Sequence, residues 1–190
     1  MTYPARLIIG ISGASGVIYG VRLLQVLQPF PVETHLVMTK TAEVTLAHET
    51  DWKIKDIKAL ADHAHQPTDL AAAISSGSFR TMGMVIAPCS MRSLGEIATG
   101  ISTSLLTRAA DVVLKERRKL VLLPRETPLH AVHLRNLATV AELGAIVAPP
   151  MPAFYNRPQS IADIVDHTVG RVLDLFDIDA GVVKRWGDAG

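Results

Sequence analysis

Short β-rich runs alternate with longer helical ones along the whole chain, and this alternation constrains the fold more than any other feature of the sequence. Strands are expected at residues 7–11, 33–38, 84–87, 120–123 and 145–147. Between and after them lie helical segments at 17–27, 41–49, 105–116, 129–143 and 161–176. In 105–116 apolar residues recur at helical spacing. Strands that alternate with helices predict βαβ units and a parallel sheet wound on both faces. The expected architecture is therefore an α/β, Rossmann/flavodoxin-like three-layer domain with a parallel sheet, spanning residues 1–190. Helix starts are expected at Ser15, Thr127 and Ser160, polar residues just ahead of periodic runs. The least regular stretch is 52–78.

Composition supports this. Of the 190 residues 48% are hydrophobic but only 5% aromatic, so the core is aliphatic, as buried parallel strands require. A formal net charge of +1 gives no reason to expect nucleic acid or an anionic membrane as partner. One cysteine, Cys89, precludes an internal disulfide and fits a reducing compartment. No signal-peptide pattern opens the chain, and its apolar runs fall short of a membrane span, so a cytoplasmic protein is expected.

Chemistry is suggested first by Gly10-Ile11-Ser12-Gly13-Ala14-Ser15-Gly16, between the first strand and the first helix. Small residues let a backbone approach an anion, and a helix start offers unpaired N–H donors. A tight turn would need the same glycines for geometry alone, but the position at a strand's C-terminal end favours phosphate binding. The run matches neither the dinucleotide fingerprint nor a P-loop. Thr39, the run Pro88-Cys89-Ser90-Met91-Arg92-Ser93 and the run Pro124-Arg125-Glu126-Thr127 follow three further strands. In a parallel sheet these ends share one crevice, where ligands bind.

Other candidates read more plainly. Cys89 is expected to be a small buried residue at a strand end and not a nucleophile. The seven histidines form no metal signature, and His130 and His133 read as ordinary helix residues. Arg117, Arg118 and Lys119 read as a solvated helix end. Arg171, with Val169, Val172 and Leu175 close in sequence, is a candidate cation for a second phosphate site. Four prolines in residues 149–158, with Met151, Phe154 and Tyr155 among them, suggest a stiff apolar loop that covers a pocket or partner.

In combination these residues resemble the bacterial flavin prenyltransferases, formerly described as 3-polyprenyl-4-hydroxybenzoate or phenolic acid decarboxylase subunits. The likeness lies in the run 10–20 and in Ala87-Pro88-Cys89-Ser90-Met91, Leu106-Thr107-Arg108-Ala109-Ala110-Asp111-Val112, Leu114-Lys115-Glu116-Arg117-Arg118, Arg125-Glu126-Thr127-Pro128-Leu129-His130 and the loop from Pro149 to Tyr155. The resemblance implies a dodecamer that transfers a dimethylallyl group from dimethylallyl phosphate to N5 and C6 of reduced FMN without a metal. The product would serve a ubiD-type decarboxylase. It further implies that Gly13, Ala14, Ser15, Thr39, Ser90, Met91, Arg92, Ser93 and Arg125 hold FMN. Lys115 (from a neighbouring subunit), Glu126, Tyr155, Arg171 and Trp186 would surround the prenyl phosphate and its alkyl group. Ser15, Glu49 and Glu126 would be catalytic. Two rival readings are a cysteine decarboxylase of the same fold and a non-catalytic flavin carrier. The first lacks its Pro-Ala-Ser-Ala-Asn-type motif, and intact basic and aromatic positions disfavour the second.

Overall fold

The computed structural model describes residues 4–183 and 185. Six strands, β1 (Ala5–Ile11), β2 (Val32–Met38), β3 (His63–His65), β4 (Gly83–Cys89), β5 (Lys119–Pro124) and β6 (Ile146–Val147), form one sheet in the order β3-β2-β1-β4-β5-β6. Every pairing is parallel. The strand order reverses between β1 and β4, so the crevice at the C-terminal ends of these two strands is the place where such a sheet binds ligands.

Seven helices complete the layers: α1 (Val17–Leu27), α2 (Lys40–Glu49), α3 (Ile54–Lys58), α4 (Met91–Thr99), α5 (Leu105–Lys115), α6 (Ala131–Glu142) and α7 (Ile161–Asp174). Strand side chains alternate between faces. Leu7, Ile9 and Ile11 of β1 pack with Val21 and Leu24 of α1 and Val169 and Leu173 of α7. Ile8 faces the other way, toward Leu106, Ala109 and Ala110 of α5 and Leu94 of α4. Gly20 lets α1 lie against the sheet, because a Cβ there would strike the Ala87 carbonyl oxygen and the Ile11 side chain. No helix among the described residues is long and apolar enough to cross a membrane.

The sequence-based boundaries change in specific places. Ser160 caps α7 as expected, within a reciprocal capping box with Asp163. The first helix is capped one residue later than expected: its N-cap is Gly16, with φ 100°, and no side chain of its own fills the cap. Thr127 does not start α6. His130 does, its ring Nδ1 accepting from the N–H groups of Val132 and His133. The stretch 52–78 holds α3, β3 and a 3-10 turn at Ala73–Ser75. Arg118 is not solvated, since its guanidinium donates to the Phe79 carbonyl at 2.8 Å and the Gly77 carbonyl at 2.7 Å.

Candidate active site

The crevice is assembled by bonds between strand ends. Ser12, fully buried at the end of β1, donates through its hydroxyl to the Pro88 carbonyl at 2.9 Å and accepts from the Ser90 N–H at 2.7 Å. That pair fixes the glycine turn against the end of β4. Arg125, after β5, reaches across with its Nε to the Ser15 carbonyl at 3.2 Å. Gly13 packs so closely on Thr41 that a Cβ would lie 2.5 Å from that side chain. Gly13, Ser15, Thr39, Ser90 and Arg125 thus share one rim, as the sequence suggested.

Three helices begin at this rim. Thr39 caps α2 by accepting from the Ala42 N–H at 3.1 Å, Ser90 caps α4 by accepting from Ser93 at 3.2 Å, and Ser104 caps α5. All three N-cap residues line a cavity of about 210 Å3, together with Lys40, Thr41, Arg92 and Ser93. Each helix start carries partial positive charge, so their convergence favours an anion. Glu96, which spacing alone did not single out, lies on the same wall. Its burial would raise its pKa, but hydrogen bonds from Thr103, Arg92 and Thr107 outweigh that and hold it below the usual carboxylate range. Arg92 Nε sits 3.0 Å from it.

The start of α1 behaves differently from the sequence expectation of unpaired donors. The Glu49 carboxylate, at the end of α2, accepts from the Gly16 N–H at 2.9 and 3.1 Å and from the Val17 N–H at 3.1 Å. An incoming anion therefore meets the residues 13–15 and the three other helix starts, with Glu49 already seated beside Ser15.

Tyr155 and Arg171 gather in a second cluster. The Tyr155 hydroxyl lies 3.4 Å from His167 Nε2, and Arg171 lies one helical turn beyond His167 on α7. Arg171 opens on a groove of about 310 Å3 with Met151, Pro149 and Val172. Its NH1 is 2.8 Å from Asp174, whose two oxygens are also held by Arg185 at 2.8 and 2.9 Å. Met151 and Phe154, at 73% and 72% exposure, leave the proline-rich loop largely uncovered in a single chain. Glu126, beyond β5, accepts from the Thr127 N–H at 3.0 Å.

Lys115 is not brought to this rim. It ends α5 beside the start of β5, opposite the end of β5 that carries Arg125, and pairs with Glu116 at 2.6 Å. Trp186 lies outside the described residues. Met91 packs against the core layer under α4. Cys89 is fully buried, and desolvation pushes its thiol up to about 12, so it is no nucleophile at neutral pH.

The flavoprotein family model matches residues 1–184. The flavin prenyltransferase UbiX of Escherichia coli K12 is 60% identical over 187 residues, covering 97% of this chain and 99% of that protein. The chain belongs to the flavin prenyltransferase family. A probable UbiX-like flavin prenyltransferase of Streptomyces sp. (strain D7) is 56% identical over 95% of this chain and 91% of its own length. The crystal structure of AnUbiX (PadA1) in complex with FMN and dimethylallyl pyrophosphate superposes with a TM-score of 0.96 at 48% identity, over 99% of this chain and 100% of that one. A dodecameric FMN-dependent Ubix-like decarboxylase from E. coli O157:H7 gives 0.93 at 53% identity, over 95% and 98%. The cysteine decarboxylase SpaF, at 22% identity, shares the fold alone.

Proposed function

We propose that this flavin prenyltransferase transfers a dimethylallyl group from dimethylallyl phosphate to N5 and C6 of reduced FMN and releases phosphate. The product then serves a ubiD-type decarboxylase. The observation that carries this reading is the rim where the glycine turn, Arg125 and three helix N-termini converge, in a chain 60% identical to a flavin prenyltransferase. It suits the phosphate and ring edge of FMN: the backbone at Gly13 approaches closely, and hydroxyls and cations face an anion.

Reduced FMN supplies the nucleophilic N5 and C6 positions. The chain's own residues bind, orient and shield. Gly13, Ala14, Ser15, Thr39, Ser90, Met91, Arg92, Ser93 and Arg125 hold the flavin. Arg171, Tyr155, Glu126 and a neighbour's Lys115 hold the prenyl phosphate, and the positive charge of Arg171 and Lys115 stabilises the dianion as the allylic C–O bond breaks. This replaces the magnesium that diphosphate-using prenyltransferases employ. Phe154 and Trp186 exclude water from the developing allylic cation. Glu49, held beside Ser15 through the Gly16 N–H, moves a proton at the flavin edge, and Glu126 does so at the phosphate side.

Assembly belongs to the same reading. Lys115 lies at the wrong end of its own sheet for this chemistry, so a second copy must deliver it, and a dodecamer of the whole chain as one domain satisfies that need. With one free cysteine, the protein is assigned to the cytoplasm.

The test is anaerobic incubation of the protein with reduced FMN and dimethylallyl phosphate, or the diphosphate, followed by mass spectrometry of the flavin. Gain of one five-carbon unit on FMN is expected. Unmodified FMN with both donors would overturn the assignment.

A further inference from the structure

Far from this rim, β2 and β3 bring four metal-ligating side chains onto one face of the sheet edge. Glu33 and His35 are two apart in β2, His63 and His65 two apart in β3, and the register sets His35 opposite His63. We propose that Glu33, His35 and His63 form a site for a divalent transition metal of the zinc class, with His65 as its outer-shell partner.

The distances fit. Glu33 Oε1 lies 2.9 Å from His35 Nε2 and 3.3 Å from His63 Nε2, and the three ligand atoms all fall within 4.8 Å of one another. Ligands about 2.0–2.1 Å from a tetrahedral zinc ion are themselves separated by about 3.3 Å. Two imidazoles and a carboxylate are a common donor set for such an ion. The metal-free arrangement is crowded: Oε1 also accepts from Arg6 Nε at 3.2 Å, so three nitrogens face one oxygen. An ion resolves this by replacing two nitrogen–oxygen contacts with metal bonds.

The surroundings are built for it. His35 Nδ1 lies 3.0 Å from His65 Nε2. When His35 Nε2 binds metal, its proton resides on Nδ1 and donates to His65, a bond that fixes the orientation of the metal-bound imidazole. His35 is 3% exposed and packed edge-on against Phe79, whereas His63 is half exposed. The His35 and His63 rings stack with centroids 4.7 Å apart, so His63 must turn to bring the ion into both ring planes, and its exposure permits that. Arg6 keeps a second attachment over the Phe79 ring, at 4.5 Å, when it yields Oε1. Its charge remains a nearby repulsion that tempers affinity. The ion would pin the outermost strand β3 to the sheet. About four residues of extended β2, on the order of 13 Å, separate even its nearest β2 ligand, His35, from Thr39, so it takes no part in prenyl transfer.

Titration of chelator-treated protein with Co2+, followed by visible absorption and by Zn2+ displacement, tests the site. One equivalent is expected, with a ligand-field band. His63→Ala and Glu33→Gln should each weaken binding at least tenfold, and Arg6→Gln should tighten it. Circular dichroism verifies that each variant is folded. Absence of the band in wild type, or an unchanged titration in both His63→Ala and Glu33→Gln, would overturn the proposal. So would loss of the band in the double variant His130→Ala/His133→Ala, which alters the other stacked histidine pair.

Discussion

The Glu49 carboxylate closes the N-terminus of α1 by accepting from the Gly16 N–H at 2.9 Å. The last residue of one helix thereby caps another, beside the glycine turn proposed to hold the flavin. Glu49→Ala should remove that cap and cost about 0.5–2 kcal/mol of stability. In a protein of this size each kcal/mol lowers the melting temperature by about 2–4 °C. Glu49→Gln keeps one acceptor oxygen and should recover most of the stability, but not proton transfer. Calorimetry and single-turnover prenylation on both variants check this. Full turnover in a stable Glu49→Gln would reduce the residue to a cap.

Cys89 offers a contrast. Complete burial raises its thiol to about 12, so at pH 8 it is protonated and shielded. The sign follows from the charge: desolvation penalises the thiolate, so the reactive form becomes appreciable only as pH approaches that value. Iodoacetamide at pH 8 should leave the native protein unmodified and alkylate it only after denaturation. Cys89→Ala should retain most activity. Loss of turnover with FMN still bound would return the thiol to the mechanism.

Exposed apolar side chains on and beside α6 predict assembly. Leu129, Val132, Leu134 and Leu143 are each 40% or more exposed, and Met151 and Phe154 are more exposed still. Isolated chains rarely tolerate so many open apolar side chains. Light scattering should report a species larger than a dimer, and Leu134→Lys should shift it to smaller species. A monomeric wild type would also remove the neighbour's Lys115 from the site.

How much of this was legible depended on where each constraint resides. Aliphatic strands such as β1 and β4 announce themselves locally, and so does the glycine turn. Strand β3 reads His-Ala-His and carries no aliphatic pattern, so only its pairing with β2 reveals it. Helix α4 contains Gly95 and depends on the Ser90 cap and on burial of Leu94 and Ile97. Glu96 acquires its role from Thr103 and Thr107, and Glu49 from Gly16, through contacts that no residue spacing encodes. The reach of Arg118 to Phe79 is of the same kind, a tertiary bond hidden inside an ordinary charge run.

The sharpest prediction separates flavin binding from phosphate binding. Arg171 is tied to Asp174 at 2.8 Å, but Arg185 already engages both Asp174 oxygens. Hydrogen bonding to Arg185 is the largest influence that holds Asp174 below the ordinary carboxylate range, with Arg171 a smaller one. Arg171 can therefore turn to a ligand without leaving Asp174 unpaired. Arg171→Ala should spare FMN binding and sharply slow prenylation. Loss of one charged phosphate contact should cost on the order of 2–4 kcal/mol, roughly thirtyfold to a thousandfold in rate. Arg171→Lys should recover only part, because an ammonium lacks the planar two-donor grip. Tyr155→Phe, which removes one neutral donor and keeps the ring, should do less damage. Single-turnover rates for the three variants, with FMN occupancy measured in parallel, decide the matter. Wild-type rates in Arg171→Ala would show that this arginine is only a surface partner of Asp174, and the phosphate site would have to be sought elsewhere.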